Sequence, residues 1–106
     1  MSDKIVQLDD NNFQEVAEQG VVLVDFFAEW CGPCRMLTPV LEQLAVKLEG
    51  KAKIGKLDMD HSQKVTSQFE VTSVPTIVVL NNGKEVERVV GLRDLETLEG
   101  MVSSLL

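Results

Sequence analysis

The sequence predicts an α/β domain in which helices cover a mixed β-sheet. Three observations lead there. The segment Val21-Val22-Leu23-Val24-Asp25-Phe26-Phe27 is almost continuously apolar. A strand wetted on one face would alternate, so this one reads as a central strand buried on both faces. Strand-like and helix-like patterns alternate up to residue 69, the order that builds parallel strands joined by helices. A hairpin signal, Thr76-Ile77-Val78-Val79-Leu80 followed by Asn81-Asn82-Gly83 and a second strand over 85–90, then adds an antiparallel pair.

Taken in order, Ile5 to Leu8 is a short strand. Asp9 or Asp10 is expected to cap a helix whose Phe13, Val16 and Ala17 share one face, and Gly20 ends it. After the apolar strand comes a helix from about Cys34 to Leu48, with Leu37, Val40, Leu41, Leu44, Ala45 and Leu48 on one stripe and Gly50 closing it. Pro39 inside that helix removes one hydrogen bond and predicts a kink. Ala52 to Leu57 reads as the next strand and Ser62 to Phe69 as a short helix. The Asn-Gly of the hairpin requires positive φ at both central positions. Asp94 caps a last helix that turns Leu95, Leu98, Met101, Val102 and Leu105 inward.

At 106 residues, the chain fits one domain, 1–106, and buries roughly two-thirds of its unfolded surface. Hydrophobic residues make up 44% and charged residues 25%, ordinary for a globular fold and unlike a disordered chain. The formal net charge of −7 repels phosphate backbones and anionic lipid, which argues against nucleic acid or a membrane surface as partner. No apolar stretch approaches the ~20 residues of a bilayer span. Met1-Ser2-Asp3-Lys4 opens without a signal-peptide core, so the expected compartment is cytoplasmic.

The informative segment is Trp30-Cys31-Gly32-Pro33-Cys34, between the buried strand and the long helix. Helix positions three apart lie about 5–6 Å apart at Cβ, close enough for a bridge after small adjustment. Pro33 suits a first helical turn, where its missing N–H costs no bond, and Gly32 allows a tight entry and close approach of another chain. As a staple the pair is weak: a four-residue loop gives about 2 kcal/mol, against about 5 for a hundred-residue loop. Redox chemistry suits it better, because so short a ring opens and closes with little change to the fold.

Cys31 would stand at the helix N-terminus, where unpaired N–H groups and the helix dipole favour the thiolate by roughly 1–2 kcal/mol. That thiolate attacks a disulfide, and Cys34 then attacks the Cys31 sulfur and releases the reduced product. The metal readings fail on count. A structural zinc site takes four ligands and only His61 remains to join the cysteines, while a c-type haem site needs a histidine where Arg35 stands.

The run from Val24 to Met36, with Trp30-Cys31-Gly32-Pro33-Cys34 at its heart, closely resembles the active-site segment of the thioredoxin family. The resemblance extends over the chain through Pro39, Lys56-Leu57-Asp58, Val74-Pro75-Thr76 and Val90-Gly91. It implies the thioredoxin fold, a central five-stranded mixed sheet flanked by four α-helices. It implies an exposed nucleophile at Cys31 and a buried resolving thiol at Cys34, joined as a redox disulfide. No cofactor would be bound. Electrons would come from NADPH through thioredoxin reductase and pass to disulfide-containing clients, which for relatives include ribonucleotide reductase, peroxiredoxins and methionine sulfoxide reductases. The expected working state is a monomer.

The same resemblance assigns supporting residues. Asp25 becomes a buried acid beneath the disulfide that accepts a proton from Cys34; without the resemblance it reads equally as a strand-end residue facing solvent. Lys56 is expected beside it, tuning it, or on a solvated face. Pro75 becomes a cis proline packed beside the cysteines, with the Val74 backbone pairing to an extended substrate, rather than a simple strand-start proline. Trp30, Gly32, Pro33 and Gly91 are expected to border the substrate groove, which a side chain at Gly91 would obstruct. Trp30 otherwise reads as a core or surface residue, and Gly91 as a simple turn. Met36 and Met59 read as ordinary packing or surface residues, and His61 as exposed near a helix start. Two positions depart from the family pattern: Phe27 stands where a second tryptophan is common, and Thr72-Ser73 replaces a frequent Arg-Gly.

The activity expected is general protein-disulfide reduction. The rivals are a dedicated electron donor to one client system, an isomerase-like protein, and a binding or accessory subunit indifferent to redox state. Gly32-Pro33 between the cysteines argues for the reducing type, since oxidising and isomerising relatives usually carry a histidine there.

Overall fold

The computed structural model describes residues 4–106; Met1, Ser2 and Asp3, the start of the opening segment read above, lie outside the described residues. Among the described residues five strands and four helices follow in the order β1 (Ile5–Leu8), α1 (Phe13–Ala17), β2 (Val21–Phe27), α2 (Gly32–Lys47), β3 (Lys53–Asp58), α3 (Gln63–Gln68), β4 (Thr76–Asn81), β5 (Lys84–Val90) and α4 (Leu95–Ser103). The strands form one mixed sheet in the order β1-β3-β2-β4-β5, with β3 parallel to both β1 and β2, and β4 antiparallel to β2 and β5. This is the thioredoxin fold. No helix of the described residues is long and apolar enough to cross a membrane.

β2 is central, and each of its faces is covered, which is why its sequence does not alternate. Leu23 joins Ile54, Ile77 and Val79 under Leu37, Leu41, Leu44 and Ala45 of α2 and Leu98, Met101 and Val102 of α4. Val22, Val24 and Phe26 join Leu57, Val78 and Leu80 on the opposite side, against Phe13 and Ala17 of α1 and Val65 of α3. An edge-on contact between the Phe13 and Phe69 rings, 5.4 Å between centroids, closes that layer.

Several boundaries differ from the sequence reading. α2 begins at Gly32 rather than near Cys34, because Cys31 serves as its N-cap and Pro33 occupies the first turn. β3 is shifted one residue, to Lys53–Asp58. Neither Asp9 nor Asp10 is the N-cap of α1; Asn12 is, and its side chain does not bond the helix. Asp9 instead accepts from the Asn11 and Asn12 amides at 2.8 and 3.0 Å, forming the turn before the helix. Asp10 reaches the start of α3, accepting from the Val65 and Lys64 amides at 2.9 and 3.2 Å, where Ser62 makes no side-chain cap. The hairpin turn has the expected positive φ at Asn82 (52°) and Gly83 (88°). Its strands are not in simple register, however: Val79 pairs with Glu87 and Leu80 with Glu85, so Val86 bulges. Asp94 caps α4 as expected, accepting from the Thr97 amide at 2.9 Å.

Candidate active site

β2 ends at Phe27 and the chain turns through Ala28, Glu29 and Trp30 into α2, which places Cys31 at the helix N-terminus and Cys34 one turn further in. The two sulfurs are joined in a disulfide, with 5.3 Å between the Cα atoms. Cys31 Sγ accepts a hydrogen bond from the Cys34 amide at 3.1 Å, so the sulfur itself fills the capping position usually held by a side-chain oxygen. The expected contrast in exposure is not present in this oxidised state: Cys31 is 4% exposed and Cys34 2%. Both pack with Ala28 into a small apolar cluster against Phe27, Met59 and Val74. What distinguishes the sulfurs here is their place on the helix.

Asp25 does not face solvent. It is 0% exposed, and both its carboxylate oxygens lack a hydrogen-bond partner among the described residues. Two residues after Leu23 on the same strand, its side chain falls on the sheet face covered by α2 and α4. Loss of hydration raises its pKa to about 7, even though the nearby Lys56 ammonium acts to lower it. Lys56 is Asp25's register partner on β3, and Ile77 its partner on β4. The Lys56 ammonium donates to Thr38 Oγ1 at 2.8 Å and lies 4.5 Å from the centre of the Phe27 ring. A cavity of about 210 Å³ opens here, lined by Phe27, Ala28, Glu29, Cys34, Arg35, Thr38 and Lys56.

On the other side of the disulfide, the Val74–Pro75 peptide is cis. Pro75 is buried and Val74 packs against the cysteine cluster, just before β4 begins at Thr76. The Pro75 carbonyl accepts from the Gly91 amide at 2.8 Å, bringing Gly91 to this rim. Gly91 has a φ of 98°, and a Cβ there would come within 3.4 Å of the Arg93 guanidinium. The backbone conformation therefore demands glycine independently of any groove. A Cβ at Gly32 would meet nothing within 4 Å. Trp30 is 68% exposed and donates from Nε1 to Asp60 Oδ2 at 2.9 Å. Pro33, Thr72 and Ser73 are exposed, as is His61.

Three contributors were not apparent in the sequence. Met59 and Asp60 come from the β3–α3 loop, and nothing local links them to Cys31 or Trp30. Thr38 was legible in retrospect, because it lies four residues after Cys34 and so on the same helix face. Among the described residues no group of three or more His, Cys, Asp or Glu is placed to hold a metal ion.

A two-cysteine disulfide ring capping a helix, set on this sheet, defines a thiol–disulfide oxidoreductase. Comparison with known proteins gives the family. A family model described as "Thioredoxin" matches residues 4–104. Thioredoxin from Chlamydia muridarum is 54% identical over 93 residues, covering 88% of this chain and 90% of the relative. Thioredoxin from Staphylococcus haemolyticus is 50% identical over 94 residues, covering 89% and 90%. Among solved structures, a mutant thioredoxin from Halobacterium salinarum superposes with a TM-score of 0.88 at 38% identity, covering 99% of this chain and 94% of that one. The chain belongs to the thioredoxin family.

Proposed function

We propose that this chain is a general protein-disulfide reductant, with Cys31 as nucleophile and Cys34 as resolving thiol. The observation that carries the assignment is the hydrogen bond from the Cys34 amide to Cys31 Sγ at the head of α2. A sulfur in that position receives backbone donors and the positive end of the helix dipole, so its anion is favoured over that of Cys34. In the reduced protein the Cys31 thiolate attacks one sulfur of a client disulfide, and the other client sulfur leaves as thiolate. Cys34 then yields its proton to Asp25 and attacks Cys31 Sγ. The client's second sulfur departs, the Cys31–Cys34 disulfide forms, and two electrons have passed to the client.

The burial of Asp25 supports its part: a carboxyl that ionises near neutrality can both take and return a proton there. Lys56 adjusts that affinity. Trp30, Gly32, Pro33, Val74, Pro75 and Gly91 form the docking rim, where the segment at Val74 receives an extended client strand. Residues 1–106 act as one thioredoxin domain, as a monomer in the cytoplasm, a compartment that keeps thiols reduced. No cofactor is bound; NADPH supplies electrons through thioredoxin reductase. Clients are disulfide-containing proteins of the kind represented by ribonucleotide reductase, peroxiredoxins and methionine sulfoxide reductases.

NADPH consumption, coupled through thioredoxin reductase from the same source to a disulfide-bonded protein, tests this reading. Turnover is expected with the native chain and not with the Cys31→Ser, Cys34→Ser double variant. A double variant that kept the biological effect would indicate a binding subunit, and turnover with only one of several disulfide proteins would indicate a dedicated donor.

A further inference from the structure

Lys56 occupies a position that its strand register does not require. Its register partner Asp25 presents a buried carboxyl with no hydrogen-bond partner among the described residues. Lys56 follows Ile54, and Asp25 follows Leu23, at a spacing of two on adjacent strands, so both side chains leave the same face of the sheet. An ammonium at that point would ordinarily close on the carboxyl. It donates instead to Thr38 Oγ1 at 2.8 Å, above the Phe27 ring. The Thr38 hydroxyl directs its own proton to the Cys34 carbonyl at 3.3 Å, which leaves an oxygen lone pair for Lys56.

We propose that Thr38 is a positioning residue of this site: its hydroxyl holds the Lys56 ammonium on α2 and off the Asp25 carboxyl. The inference rests on the reading of Asp25 as the proton acceptor for Cys34, since keeping the cation away keeps the carboxyl basic enough for that task. The other groups around Asp25 leave this to Thr38. Its β4 partner is Ile77, α4 presents Leu98, Met101 and Val102 to this face, and α2 contributes the disulfide, which does not titrate. Glu29 and Arg35 line the cavity, with the Arg35 guanidinium donating to the Glu29 carbonyl at 2.7 Å. Lys56 is the charged group that acts on Asp25.

The test follows the Asp25 carboxyl carbon by NMR across pH in the oxidised full chain. Thr38→Val, which removes the hydroxyl at nearly constant shape, is expected to lower the Asp25 midpoint by about one pH unit. Thr38→Ser is expected to leave it in place, and so is Thr38→Val when introduced into a Lys56→Met background. An unmoved or raised midpoint in Thr38→Val would overturn the proposal, as would an equal shift without Lys56. The rate at which Cys34 resolves a mixed disulfide, measured across pH in the same variants, separates the two readings. If the midpoint moves as expected and the rate profile ignores it, Thr38 positions Lys56 but Asp25 is not the acceptor for Cys34.

Discussion

Asp25 is the residue whose environment says most about the chemistry. Water is stripped from it by β3, β4 and α2, no donor replaces that water among the described residues, and the neutral form persists to about pH 7. In the proposed mechanism the carboxylate above that pH takes the proton of Cys34; below it the site is already filled. Resolution of a mixed disulfide should therefore slow as pH falls through about 7. Asp25→Asn should remove that inflection and slow resolution about tenfold near neutrality, because an unassisted thiol with a pKa of about 8.5 is only about 3% ionised at pH 7. Stopped-flow measurement of client release checks this, and an unchanged profile would take Asp25 out of the mechanism. From the residues alone Asp25 read only as an acid within an apolar run; its burial was implied by the family resemblance. Local pattern does not encode its solvation, which depends on register partners 31 and 52 residues away and on a helix laid across them.

Among the elements, α2 was read as a helix from its apolar stripe, whose first member is Leu37, and that pattern alone put its start two residues late, near Cys34. The cysteine motif had already placed Pro33 in a first turn and Cys31 at the helix N-terminus, and the cap geometry agrees with it. α3 shows the opposite difficulty. Six residues long, with no side-chain cap from Ser62, it draws its N-terminal acceptor from Asp10, some 54 residues earlier in the chain. No local pattern encodes such a contact. Asp10→Ala should accordingly destabilise the fold by about 1 kcal/mol, the usual cost of a lost cap. It should also speed amide exchange at Lys64 and Val65, while Asp9→Ala leaves exchange at those two amides unchanged. A urea midpoint and exchange rates indifferent to Asp10 would show that α3 is held by the packing of Val65 alone. The hairpin is the element read most fully, because Asn82-Gly83 fixes its turn through local sterics; the bulge at Val86 depends on pairing with β4 and left no such mark.

At the scale of the whole molecule, the buried Asp25 carboxyl works against the fold once it ionises. The folded chain holds the Asp25 proton up to about pH 7, whereas the unfolded chain releases it near 3.8. Between those values the folded state binds more protons, so stability contributed by the neutral acid is complete below 3.8 and is lost as pH rises through 7. About three units of difference correspond to about 4 kcal/mol. Urea unfolding of the oxidised protein should show Asp25→Asn gaining on the native chain by about that much between pH 4 and pH 8. A gap independent of pH would mean the carboxyl is hydrated. The rest of the molecule resists that cost through the two apolar layers on either side of β2, the part of the fold most plainly written in the hydrophobic pattern. The site was half legible: Cys31 and Cys34 stand in a contiguous motif and Thr38 follows one helical turn after Cys34, while Met59 and Asp60 reach it only through tertiary folding.

The division of labour between the two sulfurs is tested most directly by trapping. Reduced Cys34→Ser and Cys31→Ser chains, each mixed with a disulfide-bonded client, are resolved without reductant and the linkages mapped by mass spectrometry. Cys34→Ser is expected to accumulate mixed disulfides through Cys31, released by dithiothreitol, while Cys31→Ser accumulates few. Comparable trapping by both variants, or capture mainly through Cys34, would contradict the assignment of the helix-capping sulfur as the one that attacks.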